Sequence, residues 1–333
     1  MTDPLPVPEH DVVVVGGGAA ALSGALALGR SLRSVLVLDA GEPRNAPAAH
    51  AHNYLGREGV PPRELLAIGR AEVEQYGVEV VAARVAEVRR DGDPDSPDPH
   101  GTGFTVATED GRTVRARRVL VATGLVDVLP DVPGLAARWG RDVLHCPYCH
   151  GWEVRGQRVV VLATGPMATH QALLFGQLTE HVVVVVADPA AHPAEADLER
   201  LAARGIAVLD DPPLEVLTTD DALSGVRLAS GELLACDAVV VSPRVEAQAG
   251  FLAPLGLGAE PFAPGGVELG TALPADPMGA TAVPGLWAAG NVTDPMAQVI
   301  ASAAAGLRVG AMINADLVEE ETRAAVAARR ALA

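Results

Sequence analysis

The sequence predicts an α/β protein built from two Rossmann-like, doubly wound nucleotide-binding units. The first observation is that short aliphatic runs alternate with helical patterns, because buried parallel strands read as nearly continuous β-branched sequence. The second is a repeat: a strand, a glycine-containing turn and a helix occur at residue 11 and again at residue 158. A chain of 333 residues, 49% of them hydrophobic, is long enough to bury both cores.

The individual elements follow from local patterns. The segments predicted as parallel strands are Asp11–Val15, Val35–Asp39, Arg158–Leu162, Val182–Val186 and Ala238–Val241. A helix is expected from about Met296 to Asn314 and a separate surface helix from Asp316 to Ala333, with acids early and arginines late. Asp91–Gly103 is crowded with turn formers and is expected to be an exposed hairpin or loop.

Composition excludes several classes of function. The net charge of −17 disfavours nucleic acid as a partner. The chain contains no lysine, which excludes a P-loop lysine and a lysine Schiff base. No apolar stretch reaches the roughly 20 residues of a membrane span, and Met1–His10 does not resemble a signal peptide. Three cysteines make no disulfide framework, so a cytoplasmic protein without a membrane partner is predicted.

A dinucleotide-binding motif opens the chain. Gly16, Gly18 and Ala21 form a G-x-G-x-x-A pattern between a predicted strand and a predicted helix. The first glycine permits a tight turn, the second lets a pyrophosphate approach the backbone, and alanine keeps the helix close to the strand. Asp39 ends the next strand, where an acid can bind a ribose diol. An early position in a chain of two units favours FAD over NAD.

Further residues are predicted to meet the flavin. Ala122, Thr123 and Gly124 close another strand, and an apolar strand near the end of the chain leads into a Gly-Asn turn before the late helix. The complete set predicted to bind FAD is Gly16, Gly18, Ala21, Asp39, Asn53, Ala122, Thr123, Gly124, Gly290, Asn291, Gln298 and Val299. His50 and His52 lie near this predicted site, and the alternative that they are simply exposed stays open.

The predicted catalytic residues are Cys146, Cys149 and His150. A C-x-x-C pair can close a small disulfide, one thiolate can attack a disulfide, and the second resolves the mixed species. An adjacent histidine suits proton transfer. A zinc site would need two more ligands and the chain has no second C-x-x-C, so no metal is predicted. Cys236 is isolated and is predicted to be a packed core thiol.

Taken together, GGGAAA at 16–21, VATG at 121–124, CPYC at 146–149 and GLWAAGNV at 285–292 resemble the thioredoxin reductase family of low-molecular-weight type. The resemblance covers nearly the whole chain. It implies a discontinuous FAD domain, residues 1–125 and 246–333, and an inserted NAD(P)-binding-like domain, residues 126–245, that carries the redox pair. It also implies that Cys149 faces the flavin, that Cys146 exchanges with substrate, and that the protein is a homodimer.

Three departures from the family pattern concern nicotinamide binding, and two more are single replacements near the C-x-x-C pair and in the late flavin motif. Ala163 stands where the second nucleotide turn has its first glycine, and Pro166 removes a backbone N–H from that turn. Reductases place arginines after the next strand to hold the 2′-phosphate of NADPH, yet no arginine occurs between Val182 and Arg200. The third contact expected in reductases, a strand end that carries glycine, is replaced here by VVSPRVEA at 240–247. His150 also replaces an acid, and Asn291 replaces an aspartate of the family pattern.

This pattern is similar to that of dithiol oxidases of the gliotoxin and holomycin type. The leading hypothesis is therefore a small-molecule dithiol oxidase that uses FAD and passes electrons to O2. One alternative is a conventional disulfide reductase fed by NADPH, NADH or ferredoxin. Another is a flavin protein that senses redox state without turnover. Tyr54, Tyr148 and Trp152 are the aromatic candidates for contacting a substrate.

Overall fold

The computed structural model describes residues 9–91 and 103–332. The interior of the loop predicted at Asp91–Gly103 lies outside the described residues. The helices are α1 (Ala19–Arg30), α2 (Pro62–Glu74), α3 (Pro147–His150), α4 (Ala168–Phe175), α5 (Glu195–Ala203) and α6 (Val299–Ala331). The strands are β1 (Glu9–Val15), β2 (Val35–Asp39), β3 (Glu79–Ala82), β4 (Val85–Arg90), β5 (Phe104–Thr108), β6 (Thr113–Val121), β7 (Leu125–Val128), β8 (Val143–Leu144), β9 (Val159–Ala163), β10 (Val182–Val186), β11 (Ala207–Leu209), β12 (Pro213–Thr219), β13 (Ala222–Leu228), β14 (Leu233–Ala235), β15 (Ala238–Val241), β16 (Arg244–Ala247), β17 (Glu260–Phe262), β18 (Gly270–Ala272) and β19 (Leu286–Ala288).

The chain divides into two compact units. Unit 1 comprises residues 1–44, 63–126 and 245–333, and unit 2 comprises residues 45–62 and 127–244. The chain crosses from one unit to the other at 44/45, 62/63, 126/127 and 244/245. A four-stranded sheet has the order β17-β18-β16-β7. Residues 45–62 group with unit 2, whereas the sequence-based boundaries placed them in the first domain.

Unit 1 is built on a sheet of order β3-β2-β1-β6-β5-β4, with β19 also paired to β6. The strands β3, β2, β1, β6 and β19 are parallel, and β4, β5 and β6 are antiparallel. Successive residues of β1 point to opposite faces, so Val12 and Val14 join one apolar cluster while Val13 and Val15 join another. Both faces of the sheet are therefore covered, which explains why β1 reads as an unbroken apolar run.

The late helix differs from its prediction. One continuous helix of 33 residues, α6, replaces the predicted pair, and it begins at Val299 rather than near Met296. No glycine or proline interrupts the segment between the two predicted helices, and Ile313 and Leu317 continue the same buried stripe across it. The expectation of a separate tail helix was wrong for this reason.

Helices α1 and α6 approach each other closely through glycines. A Cβ on Gly306 would lie 1.9 Å from the carbonyl oxygen of Ala20, and one on Gly310 would lie 2.7 Å from that of Gly24. Because glycine has no side chain at these positions, the two backbones can come into direct contact. The helix that carries the first glycine motif is thus held against the end of the chain.

A buried ionic network also holds α6 in place. Arg118 on β6 is 1% exposed, and its guanidinium lies 2.5 Å from both Asp316 and Glu320 of α6. Its neighbour Arg117 pairs with Asp11, Glu320 and Glu321, and the pKa of Glu320 is lowered by these two arginines against the effect of burial. A buried charge requires such partners to offset its desolvation.

Unit 2 repeats the architecture on a smaller scale. Its main sheet has the order β11-β10-β9-β15-β8 and is parallel throughout, and β12, β13 and β14 form an antiparallel sheet beside it. The predicted strands Arg158–Leu162, Val182–Val186 and Ala238–Val241 are confirmed within one residue. Cys236 is fully buried, and burial raises the pKa of its thiol to about 12, which confirms the expected core thiol.

Candidate redox and nucleotide sites

The redox pair lies at the start of α3 in unit 2. Strand β8 ends at Leu144, and Cys146 is the N-cap residue of the short helix. Cys146 and Cys149 form a disulfide with their Cα atoms 5.2 Å apart. Pro147 occupies the first helical position, and the N–H groups of Cys149 and His150 donate to the carbonyl of Cys146 at 3.2 and 3.1 Å. Proline at this position favours the turn that brings the two sulfurs together.

The surroundings of the disulfide are partly open. Both cysteines are half-buried, while Tyr148 and Trp152 are 65% and 67% exposed. The guanidinium of Arg155 stacks over the ring of Trp152 at 4.2 Å. Apolar surface therefore borders the turn that carries the disulfide.

His150 faces a pocket of about 390 Å³ within unit 2. The pocket is lined by Pro47, Ala49, His50, His52, Gly140, Arg141, Leu144, His150, Glu153 and Val154. Burial lowers the pKa of His150, and His52 lowers it further against the opposing effect of Glu153. His150 is therefore neutral near pH 7 and able to accept a proton.

Segment 45–62 contributes a second imidazole to this pocket. His52 Nδ1 lies 2.6 Å from Glu58 Oε1, and His52 Nε2 lies 3.4 Å from Glu153 Oε1. The pKa of Glu58 is lowered by its hydrogen bonds with His52 and with the backbone N–H of Asn53. Sequence reasoning missed Glu58 and Glu153, because nothing in the spacing links positions 52 and 58 to position 153.

Asn53 lies in unit 2, next to the redox turn. Its Nδ2 donates to the carbonyl of Tyr148 at 2.7 Å, and its backbone is in the left-handed region with φ +60°. Asparagine tolerates this conformation better than most residues. The structure thus shows a contact of Asn53 with the redox turn, and its predicted role in binding FAD stays a prediction.

The first glycine motif fits a dinucleotide. Gly16 has φ +107°, and a Cβ there would lie 2.4 Å from the carbonyl oxygen of Ala122. A Cβ on Gly17 would lie 2.2 Å from the carboxyl carbon of Asp39, whereas the space around Gly18 is open. Gly18 caps α1, which carries neither a side-chain cap nor an acid in its first turn. A pyrophosphate can therefore reach the free N–H groups of this helix end.

Asp39 is held in place by two neighbours. Its Oδ1 accepts from the N–H of Gly41 at 3.0 Å, and its Oδ2 forms an ion pair with Arg70 of α2. A carboxylate offers about four lone-pair sites, so acceptor capacity remains for a ribose diol. Arg70 was missed in the sequence, since no motif marks an arginine on α2 as a neighbour of β2.

The other predicted cofactor residues of unit 1 lie just after strands β6 and β19 or at the start of α6. Thr123 Oγ1 donates to the carbonyl of Gln248 at 2.6 Å, and Gln248 Nε2 donates back to Thr123 at 3.2 Å. Asn291 Nδ2 donates to the carbonyl of Ala297 at 2.8 Å and so closes the turn that leads into α6. Gln298 is the N-cap residue of that helix, and Val299 is its first residue.

The predicted site residues thus fall into two groups. Unit 2 brings together Cys146, Cys149, His150 and Asn53. Unit 1 contains Gly16, Gly18, Ala21, Asp39, Ala122, Thr123, Gly124, Gly290, Asn291, Gln298 and Val299.

The second nucleotide turn, between β9 and α4, has unusual surroundings. Asp188 follows β10 and accepts from the N–H of Ala190 at 2.9 Å, so it caps its own turn. Arg200, the first arginine after β10, lies 2.8 Å from Asp197 on the same helix. His192 pairs with Asp210 at 3.0 Å. The described segment after β10 carries mainly carboxylates, and its first arginine is paired with one of them.

Comparison with known proteins identifies the family. Residues 10–308 match the profile of the pyridine nucleotide-disulphide oxidoreductases. The chain belongs to this family. Thioredoxin reductase sirT of Leptosphaeria maculans is 30% identical over 319 residues, which cover 91% of this chain and 93% of that protein. The resemblance to thioredoxin reductases inferred from the motifs is confirmed.

Two solved structures of related proteins have the same fold. The crystal structure of HlmI is 42% identical, with a TM-score of 0.88 and 97% of each chain covered. An oxidoreductase from Agrobacterium tumefaciens is 32% identical, with a TM-score of 0.83, covering 93% of this chain and 99% of that one. The predicted fold of two Rossmann-like units is confirmed, and this member of the pyridine nucleotide-disulphide oxidoreductases is an enzyme of the thioredoxin reductase type.

Within residues 9–91 and 103–332, no group of three or more His, Cys, Asp or Glu side chains is arranged to hold a metal ion. In the same ranges, no helix combines the length and apolarity needed to cross a membrane.

Proposed function

We propose that this protein is an FAD-dependent dithiol oxidase that forms an intramolecular disulfide in a small-molecule dithiol, with O2 as the electron acceptor. The observation that carries the proposal is the combination within unit 2 of a C-x-x-C disulfide and a segment after β10 whose first arginine, Arg200, is paired with Asp197. Because no arginine precedes Arg200 after this strand to hold a nicotinamide phosphate, the arrangement favours electrons that enter from the thiol substrate.

Electrons and protons balance in this scheme. A substrate thiolate attacks Cys146, a new S–S bond forms, and Cys149 leaves as a thiolate. The second substrate thiol loses its proton and attacks the mixed disulfide, releasing Cys146 and the oxidised product. Two protons and two electrons leave the substrate, and the electron pair resides on the enzyme dithiol.

Residues of the chain assist these steps. Neutral His150 lies beside Cys149 and can accept a proton that a thiol releases. The exposed rings of Tyr148 and Trp152 provide apolar surface for the body of the substrate. By the family resemblance, Cys149 is the residue that faces the flavin.

The cofactor proposed for this reaction is FAD, held by the residues of unit 1 predicted from the sequence. Gly16 and Gly18 leave room for the pyrophosphate, and Asp39 retains acceptor capacity for the ribose. Bound FAD would accept the electron pair of the enzyme dithiol and pass it to O2.

The test is an anaerobic reduction experiment on the purified holoprotein. Dithiothreitol, NADPH and NADH are mixed with it separately, and absorbance is followed at roughly 450 nm, the oxidised-flavin band. We expect bleaching by dithiothreitol alone, followed by recovery and peroxide release when air enters. Rapid bleaching by NADPH or NADH would contradict the oxidase assignment.

A conventional disulfide reductase is the second candidate. It is favoured by the name of the relative sirT, which is called a thioredoxin reductase, and by Asp188, an acid placed where it can bind an NAD ribose. The same experiment separates the two, because a reductase is bleached by its nicotinamide donor. A redox sensor without turnover is distinguished by slow reduction with every donor.

We further propose a homodimer in the cytoplasm. The dimer rests on analogy with the family, and Ile300 and Leu307 of α6 are apolar residues that remain exposed in the single chain. The compartment rests on the use of cysteine, since the one disulfide is of the redox-active kind. Light scattering after size exclusion measures the mass and tests the dimer.

A further inference from the structure

The proposed function, on which this inference rests, gives a second proton acceptor a role. Oxidation of one dithiol releases two protons, one from each substrate thiol. His150 is one imidazole of the pocket beside the redox turn, and His52 is a second imidazole in the same pocket. His52 is contributed by segment 45–62, far from the C-x-x-C motif in the sequence.

His52 is oriented by a carboxylate. Its Nδ1 lies 2.6 Å from Glu58 Oε1, and the other oxygen of Glu58 accepts from the N–H of Asn53 at 2.8 Å. A carboxylate bonded to one ring nitrogen places the proton on that nitrogen and leaves the other as an acceptor. This is the arrangement in which a third group orients a catalytic base.

The second nitrogen of His52 lies near another carboxylate, that of Glu153. Glu153 Oε1 lies 3.4 Å from Nε2, longer than the 2.7–3.2 Å or so of an ordinary N–H···O hydrogen bond. The side chain of His52 is 20% exposed, whereas that of Glu58 is 64% exposed. When Nε2 takes up a proton, the positive charge of the ring can therefore be offset by the carboxylate of Glu58. The proton can then pass to water.

The position of His52 beside the redox turn is secured by its neighbour. Asn53 donates to the carbonyl of Tyr148 at 2.7 Å, and Tyr148 lies between the two cysteines in the sequence. Asn53 also binds Glu58 through its backbone. One residue thus links the Glu58–His52 pair to the turn that carries the disulfide.

We propose that His52, oriented by Glu58, is a second general base that accepts the proton of one substrate thiol, while His150 serves the other thiol. The S–H bond of the substrate breaks, its proton goes to Nε2 of His52, and its electron pair forms the S–S bond of the product as Cys146 leaves as a thiolate. The oxidant for the resulting enzyme dithiol is the one named under the proposed function.

The charged and titratable groups of unit 2 around His52 come from three parts of the chain. The pocket receives His150 and Glu153 from α3 and the turn after it, and Arg141 from the loop before β8. Arg141 is paired with Asp221 at 2.7 Å. His50, from the same segment as His52, has its ring centroid 6.1 Å away.

The test is an anaerobic single turnover of the oxidised holoprotein with dithiothreitol across a range of pH. The oxidised dithiothreitol formed is measured after quenching, so the reading depends neither on O2 nor on whether the electron pair rests on the enzyme dithiol or on FAD. We expect His52→Gln to slow the reaction by about 100-fold near pH 7, within the range of general base catalysis. The rate should recover as the pH passes the ordinary thiol pKa of about 8.5, because a thiolate needs no base.

Two further variants complete the design. Glu58→Gln should show a smaller loss with the same recovery at high pH, and Glu58 is exposed enough to be replaced without harm to the fold. His192→Gln is the matched control, since His192 also pairs with a carboxylate, Asp210, but does not line the pocket. It should react like the wild type at every pH.

The outcomes are separable. A wild-type rate in His52→Gln, or an equal loss at all pH values, would overturn the second base while leaving the oxidase in place. A wild-type protein that forms no oxidised dithiothreitol would overturn both proposals. Recovery of His52→Gln at high pH, with no change in His192→Gln, supports the second base.

Discussion

Asn53 Nδ2 and the carbonyl oxygen of Tyr148 are joined by a hydrogen bond of 2.7 Å. The bond connects two segments of unit 2 that are 95 residues apart in the sequence, and it places segment 45–62 beside the redox turn.

Asn53→Gly should separate the two roles considered for Asn53. Glycine keeps the left-handed backbone at φ +60° and removes only the side-chain bond, at a cost of about 1 kcal/mol. We expect slower reduction by dithiothreitol with unchanged flavin content, measured by stopped flow and by the absorbance ratio of flavin to protein. A large loss of bound flavin would instead show that the side chain serves the cofactor. Asn53→Ala adds backbone strain and should be less stable than Asn53→Gly.

Cys149→Ser should give a folded, yellow protein without dithiol oxidase turnover, because the electron pair can no longer pass through the Cys146–Cys149 pair. Oxygen consumption with dithiothreitol measures the loss. Cys236→Ala is the matched control: its thiol is buried, with a pKa raised to about 12, and takes no part in exchange. Retained turnover in Cys149→Ser would contradict the scheme.

The activity should fall in acid as His150 becomes protonated. Burial lowers the pKa of His150 from 6.5, so the neutral base persists to below that pH and activity declines at more acid values. The same shift affects stability: below pH 6.5 the unfolded chain binds the proton first, so stability is lost as the pH falls from 6.5 towards the lowered pKa. His150→Gln should lack this dependence. Urea unfolding at several pH values measures it, and equal slopes in both proteins would contradict it.

Arg118→Ala should be strongly destabilising. Removal of this buried guanidinium takes one cationic partner from each of Asp316 and Glu320, and breaking a buried ion pair typically costs about 3–5 kcal/mol. The control is Arg323→Ala on the same helix: its side chain is half exposed and lies 3.6 Å from Glu319, so its loss should cost less than about 0.5 kcal/mol. Chemical denaturation compares the two, and similar losses would show that α6 does not depend on the network.

Sequence patterns that extend over a few neighbouring residues account for the parts of the fold and of the candidate site that could be predicted. The alternation of strands and helices, the glycine motif at 16–21 and the C-x-x-C pair depend on residues close in sequence, and the predicted fold and family are confirmed. The late helix was predicted as two because local charges seemed to mark a boundary. Continuous burial of Ile313 and Leu317 against the sheet of unit 1 determines its real length.

The sequence by itself determined the parallel α/β architecture, the C-x-x-C pair and the departures from the family pattern at the second nucleotide turn, since each is written in neighbouring residues. Only the tertiary structure decided that segment 45–62 joins unit 2, that Arg70 pairs with Asp39, and that His52 stands between Glu58 and Glu153. Hydrogen bonds and ion pairs act over a few ångströms regardless of separation along the chain. Contacts such as Asn53 with Tyr148 therefore exist only once the chain has folded.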